Sequence, residues 1–406
     1  MTSAVPGPDI LSREHKRDPF SFYARLRAAA PVVRLMLPGR GAAWFLTRYR
    51  DVVACLTGDR QFVRDFQSAG VDTSGAIGGL LLLPNPTVGP HILNFDGVAH
   101  RRLRAPMAKW FTVRAVERWR LEAERIVAML LDRMAERGDC DFVADLAQPF
   151  TIAVMGLVLG LPIQDWRELE EWSAIAHSRY AKPERQAVAD TQSAFHIWVH
   201  ELFRNRKAAP ADDFVSALVR GDGGEEPLSE RELIAMIDFL LGAGQETSAD
   251  LIPSAVLELL ERSIAVGELV DDGDALRDAI EELLRFCAPV ETALPRCVAE
   301  DVEFGGERLR RGDFVFPIVA AANRDADRFD EPDRLDLSRR PNPHIAFGAG
   351  PHHCIGLHLA RMEAEVALRA LFRRFPRLSL IRPRQQLVWL PRHIVRGLEA
   401  LPVRLS

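Results

Sequence analysis

The chain has 406 residues, 48% of them hydrophobic, and a formal net charge of −5 at pH 7. This mild acidity argues against general nucleic-acid binding, which needs a basic surface. The length allows two or three domains or one large helical domain, and the apolar content is enough for a large core.

The five cysteines are an odd number, and no two of them form a Cys-x-x-Cys pair. This pattern argues against a disulfide framework and a zinc site, and it fits a reducing cytoplasm. Residues 1–20 are polar and contain no apolar run of the kind found in signal peptides or membrane anchors. We therefore expect a soluble cytoplasmic protein whose residues 1–17 form a flexible segment.

Helical periodicity dominates from about Val98 to Arg206, whereas the extended segments are short. The pattern predicts a mainly helical fold with minor β-structure near the two ends of the chain. The strands are predicted near Val32–Leu35, Trp44–Leu46, Arg296–Val302, Phe314–Ile318 and Leu387–Leu405.

His100 and Arg104 are four residues apart and share one face of a predicted helix. Such a pair can hold two acidic groups of a ligand, although a solvated basic face is the commoner explanation of an isolated pair.

One long helix begins at a Ser229–Glu232 capping box and is too apolar for a surface helix, so we expect it to cross the core. Its small residues Gly242–Gly244 allow either a flat ligand or a second helix to approach the backbone closely. We expect the Thr247 hydroxyl to bond to the carbonyl four residues back and to loosen the helix locally. Pro253 predicts a bend further along.

Glu282 and Arg285 form a Glu-x-x-Arg pair on one helical face. In isolation, such a pair is an ordinary salt bridge. Further along, Pro332–Leu335 lies in a loop that is rich in turn residues.

Cys354 lies between glycines at the start of a helix, where a thiolate is stabilised. Such a sulfur is a nucleophile or a metal ligand. His352 or His353 could serve as the base that a nucleophile needs. The flanking glycines favour the close approach of a flat partner instead.

Taken together in this order, the motifs resemble those of the cytochrome P-450 family, and specifically its soluble bacterial class. The loop matches the family pattern F-x-x-G-x-(H/R)-x-C-x-G in full, at Phe347, Gly350, His352, Cys354 and Gly356.

The other motifs match from about Asp18 to the C-terminus. The segment from Ala243 to Thr247 is similar to the family's oxygen-binding A-G-x-(D/E)-T, and Pro332–Leu335 looks like its P-E-R-F element with two departures. The resemblance implies a single domain over residues 1–406, with a long helix over a haem.

The resemblance also implies roles for individual residues. Cys354 would be the axial thiolate of a haem b. Thr247 and Glu246 would deliver protons to bound oxygen. Glu282, Arg285 and Arg334 would form a buried polar network. The implied haem contacts are His100, Arg104, Ala243, Gly244, Arg296, Phe347, Gly348, His352, Cys354 and Gly356, with His100, Arg104, Arg296 and His352 holding the propionates.

By resemblance, the substrate contacts come from residues 77–93, 166–185, 239–247, 290–294 and 392–394. The first of these regions is rich in Leu, Gly and Pro, which suits a mobile apolar lid. We expect a bulky, largely apolar substrate such as a polyketide, macrolide or terpenoid-like metabolite. Glu291 could pair with a cationic substrate group, but we expect it to turn toward solvent. The predicted pocket residues are Leu82, Leu93, Phe239, Ala243, Val290, Glu291, Leu294 and Ile394.

We expect no reductase domain in this protein, so a monomeric monooxygenase of this class would take its electrons from a separate ferredoxin and ferredoxin reductase. We expect no membrane or nucleic-acid partner. The candidate docking cations are Arg101, Arg102, Lys109, His353, Arg373 and Arg374.

Three other functions compete with the monooxygenase. A peroxide-using relative would not need the Glu246–Thr247 pair, and a haem-thiolate ligand sensor would not need a proton path. A haem-free cysteine hydrolase would use Cys354 with a histidine.

Overall fold

The computed structural model describes residues 4–58, 60–67, 69–71, 89–161, 185–223, 226–264 and 266–405. Thirteen α-helices lie in this part of the chain. They are α1 Arg13–Arg17, α2 Pro19–Ala29, α3 Tyr49–Thr57, α4 Gly97–Ala108, α5 Val113–Ala135, α6 Gln148–Leu159, α7 Arg185–Ala208, α8 Phe214–Arg220, α9 Glu230–Glu261, α10 Val266–Asp271, α11 Gly273–Cys287, α12 Val319–Ala322 and α13 Leu357–Arg374.

The strands are shorter than the helices and form three small sheets. They are β1 Val5–Pro6, β2 Val32–Leu37, β3 Gly41–Leu46, β4 Phe62–Val63, β5 Asp139–Asp141, β6 Arg296–Val298, β7 Val302–Phe304, β8 Glu307–Leu309, β9 Phe314–Pro317, β10 Ser379–Leu380 and β11 Pro402–Arg404. In the described chain, the largest sheet has the order β1-β2-β3-β9-β6-β4, beside a β10-β11-β5 sheet and a β7-β8 hairpin.

The main hydrophobic core lies among the long helices. Helix α5 packs against α13 and α6, and α9 packs against α6, α11 and α13. Two smaller apolar clusters join the six-stranded sheet to its neighbouring helices. The mainly helical class with minor sheets is therefore confirmed.

Helix α9 begins as its sequence predicts. The Ser229 backbone N–H donates to Glu232 Oε2 at 2.8 Å, and the Glu232 N–H donates to Ser229 Oγ at 3.4 Å. These reciprocal bonds satisfy two donors that a helix start leaves open. The helix continues through Pro253 to Glu261, so the proline does not end it. A bend at Pro253 stays a prediction.

The C-terminal stretch differs from its prediction. Within residues 387–405 only β11 is a strand, and an isolated bridge pairs Trp389 with Leu398. The other predicted strand regions are confirmed, with β6 and β7 sharing the segment that begins at Arg296.

The N-terminal segment also differs from its prediction of flexibility. Ser12 caps α1, whose Lys16 side chain is completely buried and bonded to Glu291. A buried charge with a partner fixes this part of the chain to the body of the protein. Among the described helices, none combines the length and the apolar character that crossing a membrane requires.

Candidate active site

The Cys354 loop folds tightly against α3. Gly348 and Gly350 have φ angles of 73° and 72°, which side chains disfavour. A Cβ on Gly350 would lie 2.5 Å from the Leu56 carbonyl oxygen, so this position requires glycine. The Cys354 N–H donates to the Phe347 carbonyl at 3.0 Å, which closes the loop just before α13.

The sulfur of Cys354 is held beside the first turn of α13. Burial raises the pKa of the Cys354 thiol, while the Gly356 N–H and the cations Arg104 and Arg361 act in the opposite direction. A Cβ on Gly356 would lie 3.9 Å from the sulfur, which is an ordinary van der Waals contact. These donors and cations suit a sulfur that carries negative charge when it binds a metal.

His100, His352 and Arg296 gather around one acid, Asp96. His352 Nε2 lies 3.1 Å from Asp96 Oδ1, and Arg296 Nη1 lies 3.5 Å from the same oxygen. The ring centroids of His100 and His352 are 4.2 Å apart. Burial, together with the neighbouring His352, lowers the pKa of His100 to about 4. This cluster brings together three of the four predicted propionate ligands.

Two buried nitrogens of this cluster, His100 Nε2 and His352 Nδ1, have no hydrogen-bond partner among the described residues. Buried polar atoms normally find a partner, so these nitrogens suit the acidic groups of a ligand. Arg104 lies nearer the cysteine loop and donates from Nη2 to the His353 carbonyl at 2.7 Å. The cluster fits a flat cofactor that carries carboxylates and approaches Cys354.

Sequence reasoning missed Asp96 and Arg64. The backbone N–H groups of Arg64 and Asp65 donate to Asp96 Oδ2. The fully buried Arg64 side chain donates to the carbonyls of Leu93 and Pro295, which ties the segment before α4 to β6. No local motif marks these residues, because their partners come from distant parts of the chain.

The small residues at the centre of α9 have two different surroundings: a second helix lies close on one side, and, within the described residues, open space lies on the other. A Cβ on Gly244 would lie 2.4 Å from Met155 Sδ, so Gly244 is where α9 crosses α6 closely. The role of Gly244 as a haem contact stays a prediction. Gly242 and Ala243 are exposed, and a Cβ on Gly242 would meet nothing within 4 Å of the described chain. These two positions leave room beside the helix.

Thr247 has the hydrogen bond that its sequence position predicts. Its Oγ1 donates to the Ala243 carbonyl at 2.9 Å. The bond fixes the rotamer of the hydroxyl next to the exposed turn at Gly242 and Ala243. The oxygen keeps acceptor capacity for a further partner.

Comparisons with known proteins agree with this site. The family model described as cytochrome P450 matches residues 274–390, which include Glu282, Arg285 and Cys354. Cytochrome P450 107B1 of Saccharopolyspora erythraea is 37% identical over 98% of both chains. The chain belongs to the cytochrome P450 family.

Two further relatives extend the comparison. Mycinamicin IV hydroxylase/epoxidase of Micromonospora griseorubida is 35% identical, over 99% of this chain and all of its own. The solved structure of the bacillaene polyketide synthase cytochrome P450 PksS of Bacillus subtilis superposes with a TM-score of 0.88. It is 32% identical and covers 98% of this chain and all of the other. The protein is therefore a P450 monooxygenase of the bacterial secondary-metabolism type.

Behind the cysteine loop of this P450 lies the buried Glu282–Arg285 pair. Both side chains are completely buried, with Arg285 Nε 2.7 Å from Glu282 Oε2. Arg285 also donates to the carbonyls of Asn323, Pro332 and Arg334. The pair therefore binds the loop that leads to Cys354.

The predicted place of Arg334 in this network is wrong. Its side chain is exposed and pairs with Glu331, and only its backbone carbonyl accepts a bond from Arg285. Arg339, five residues further on, instead places Nε 3.1 Å from Glu282 Oε2. The two arginines lie in one loop, and the motif alone does not tell which side chain points inward.

The expectation for Glu291 is also wrong. Glu291 is 1% exposed, and it accepts bonds from Lys16 Nζ at 2.8 Å and from the Tyr23 hydroxyl. Burial alone would raise the pKa of Glu291, but Lys16 and His15 lower it to about 2. The carboxylate therefore joins the N-terminal helices to the 290–294 segment, and its charge is already paired.

Two further buried acids were missed by sequence reasoning. Asp250 on α9 pairs with Arg392, and burial raises the pKa of Asp250 to about 7. Glu363 on α13 accepts a bond from the Ser248 hydroxyl at 2.5 Å, and burial raises the pKa of Glu363 to about 8. Both acids lie in helices whose apolar pattern gives no sign of a buried carboxyl group.

Part of the predicted substrate pocket lies outside the described residues, including Leu82 and the 166–184 region. Phe239 stacks on His91 with ring centroids 4.9 Å apart. The Ile394 carbonyl accepts bonds from the Glu291 and Thr292 N–H groups, which fixes the C-terminal turn against the 290–294 segment. The roles of Leu93, Phe239, Val290, Leu294 and Ile394 as substrate contacts stay predictions.

The predicted docking cations divide into two groups. Arg102, Lys109, Arg373 and Arg374 each have an acidic partner within 4.0 Å in the described structure. Arg101 and His353 are exposed. A depression on the sulfur side of the loop is lined by Arg104, Ala108, Phe111, Thr112, Val113, Arg114, Cys354, Ile355, Leu357 and His358.

Proposed function

We propose that this P450 inserts one oxygen atom from O2 into a bulky, largely apolar secondary metabolite, by hydroxylation or epoxidation. The observation that supports it most is that the Cys354 loop and the histidine–arginine cluster around Asp96 share one residue, His352. The exposed turn of α9 beside Thr247 is a third feature that agrees with the proposal. A polyketide, macrolide or terpenoid-like substrate fits the relatives' names and the apolar predicted pocket.

The residues that would hold haem b are those of the loop and the cluster. Cys354 would bind the haem iron through its thiolate, and the group, when bound, would supply dioxygen activation. His100, Arg104, Arg296 and His352 would hold its propionates, because buried cations and N–H donors stabilise carboxylates. Asp96 would keep His352 and Arg296 in orientation.

Thr247 and Glu246 would deliver protons on the side of the site opposite Cys354. The Thr247 oxygen would accept a hydrogen bond from a water molecule and so hold this water in the site, while Glu246, one residue before it, would exchange protons with solvent. Glu246 is partly exposed, which suits this exchange.

We propose that electrons come from a separate ferredoxin and ferredoxin reductase in the cytoplasm, to a monomeric enzyme. The depression behind Cys354 combines the cations Arg104 and Arg114 with apolar residues, a composition suited to docking an acidic protein.

A ligand screen tests the proposal. Macrolactones, linear polyketides, terpenoids and fatty acids would be added to the ferric protein, and the shift from low to high spin recorded. A binder would then be incubated with NADPH, a plant-type ferredoxin, its reductase and ¹⁸O2. We expect a product that carries one labelled oxygen atom. Binding without any labelled product under these conditions would contradict the monooxygenase assignment and favour a ligand sensor.

Labelled product from peroxide alone, with none from O2 and electrons, would instead favour the peroxide-using class. The Glu246–Thr247 pair argues against that outcome, because peroxide brings its own protons to the site.

A further inference from the structure

Asp250 lies one helical turn after Glu246 on α9. Residues four apart share a helix face, with Cβ atoms about 6 Å apart. Glu246 is partly exposed, whereas Asp250 is 5% exposed. The helix therefore carries a half-buried acid next to Thr247 and a buried acid directly behind it.

The C-terminal segment encloses the Asp250 carboxyl group. Arg392 Nη1 donates to Asp250 Oδ2 at 2.9 Å, and both side chains are buried. A Cβ on Gly397 would lie 1.7 Å from Asp250 Oδ1, so only glycine lets the carboxyl group sit against this backbone. The carboxyl group thus occupies a fitted position between α9 and the turn that contains Ile394.

We propose that Asp250 is a second proton-carrying group, which supplies Glu246 during oxygen activation. The inference rests on the proposed function, in which Glu246 passes protons toward Thr247. Asp250 would give its carboxyl proton to the Glu246 carboxylate, and Arg392 would stabilise the resulting Asp250 carboxylate. Asp250 would regain a proton when Glu246 next takes one from solvent, so the net result is one proton moved inward.

The charges around Asp250 allow both the protonated and the ionised form of its carboxyl group. Burial raises the pKa of Asp250, Arg392 and Arg396 lower it, and Glu246 raises it, with a result of about 7. A group whose pKa is close to the working pH both gives and takes a proton readily. Asp250 acts through Glu246, so it is a positioning and supply residue and has no contact with the reacting atoms.

The test compares Asp250→Asn with wild type in NADPH-driven O2 reduction, using a plant-type ferredoxin and its reductase without organic substrate. The rate and its solvent isotope effect are measured from about pH 5.5 to about pH 8.5, on both sides of neutrality. We expect the wild-type rate to show an ionisation near pH 7 that Asp250→Asn lacks. We also expect Asp250→Asn to be about threefold to tenfold slower and to have a larger isotope effect.

A control variant and a double variant separate proton supply from structure. Glu258→Gln removes another buried, arginine-paired acid from α9, away from the site. We expect it to lower the melting temperature and to leave the pH profile unchanged. Asp250→Asn with Arg392→Gln replaces the buried ion pair by two amides, so it removes the proton carrier without leaving an unpaired charge. We expect it to reproduce the kinetic loss.

The series Glu246→Gln, Asp250→Asn and their combination tests whether the two acids act in line. Because one supplies the other, the combined variant should be no slower than Glu246→Gln alone. A wild-type pH profile and isotope effect in Asp250→Asn or in the amide double variant would overturn the inference. A wild-type protein that binds no haem or reduces no O2 would overturn the proposed function itself, which is a distinct outcome.

Discussion

The Thr247 side chain has a defined geometry on α9 that suits its proposed role. Its hydroxyl donates to the Ala243 carbonyl at 2.9 Å, so the side chain stands in one rotamer beside the exposed turn. The oxygen keeps lone pairs that can accept a hydrogen bond from water.

Substitution of Thr247 should therefore uncouple the enzyme. In Thr247→Ala we expect electron consumption to continue while the yield of oxygenated product falls by about tenfold or more, because the oxygen that holds a proton-donating water in the site is lost. Thr247→Ser keeps the hydroxyl and should retain most of the coupling. The measurement is product formed per NADPH consumed, with released peroxide. Tight coupling in Thr247→Ala would contradict the proton role of this residue.

Glu291 has a structural role that can be tested by stability. Glu291→Gln keeps the size of the side chain but leaves Lys16 buried without its counter-charge, which should cost about 3–5 kcal/mol of unfolding free energy. Glu331→Gln, which breaks an exposed pair with Arg334, is the matched control and should cost less than about 1 kcal/mol. Both values come from denaturant unfolding. Equal effects in the two variants would contradict the buried-pair account.

The same carboxylate predicts a pH dependence. The pKa of Glu291 is about 2 in the folded protein, whereas an unperturbed glutamate, as in the unfolded chain, has a pKa of 4.5. The folded state therefore favours the ionised form. Its contribution is then fully present above pH 4.5 and is lost as the pH falls toward 2. We expect the loss of stability over this range to be smaller in Glu291→Gln than in wild type.

At the scale of elements, the crossing of α9 and α6 depends on one of two neighbouring glycines. A Cβ on Gly244 would overlap Met155, whereas a Cβ on Gly242 meets no described atom. Two glycines two residues apart in one helix therefore have different reasons to be glycine, which the sequence pattern alone does not separate.

Alanine at each position tests this difference. We expect Gly244→Ala to destabilise the protein by about 1–3 kcal/mol, because the overlap must be relieved by moving Met155 or the helix. Gly242→Ala should be neutral or stabilising by up to about 1 kcal/mol, because alanine favours the helix. Thermal and denaturant unfolding give both values. A more stable Gly244→Ala would show that α6 is not in close contact at this residue.

At the scale of the whole molecule, the sequence predicts what short motifs encode. The Cys354 loop, the Glu282–Arg285 pair and the α9 capping box are each formed within a few residues, and all three have the predicted local structure. The family resemblance, and not the spacing of the motifs, implied that His100 and His352 share one role. The two residues are 252 positions apart in the sequence, and the structure brings their ring centroids to 4.2 Å.

The features that could not be predicted depend on long-range pairing. Lys16 and Glu291 are 275 residues apart, and Arg392 and Asp250 are 142 apart. Each side chain alone has the pattern of a solvated charge, and only the fold shows that two of them are buried together. Arg339 replaces Arg334 for a related reason, since loop geometry decides which of two nearby arginines turns inward.

The central claim is that Cys354 ligates a haem iron as a thiolate. The most direct measurement is the absorption spectrum of the reduced protein with carbon monoxide, for wild type and for Cys354→Ser. We predict the red-shifted Soret band typical of thiolate ligation in wild type, and its loss in Cys354→Ser. A wild-type protein with a histidine-type band, or one without haem after expression with a haem precursor, would contradict the claim.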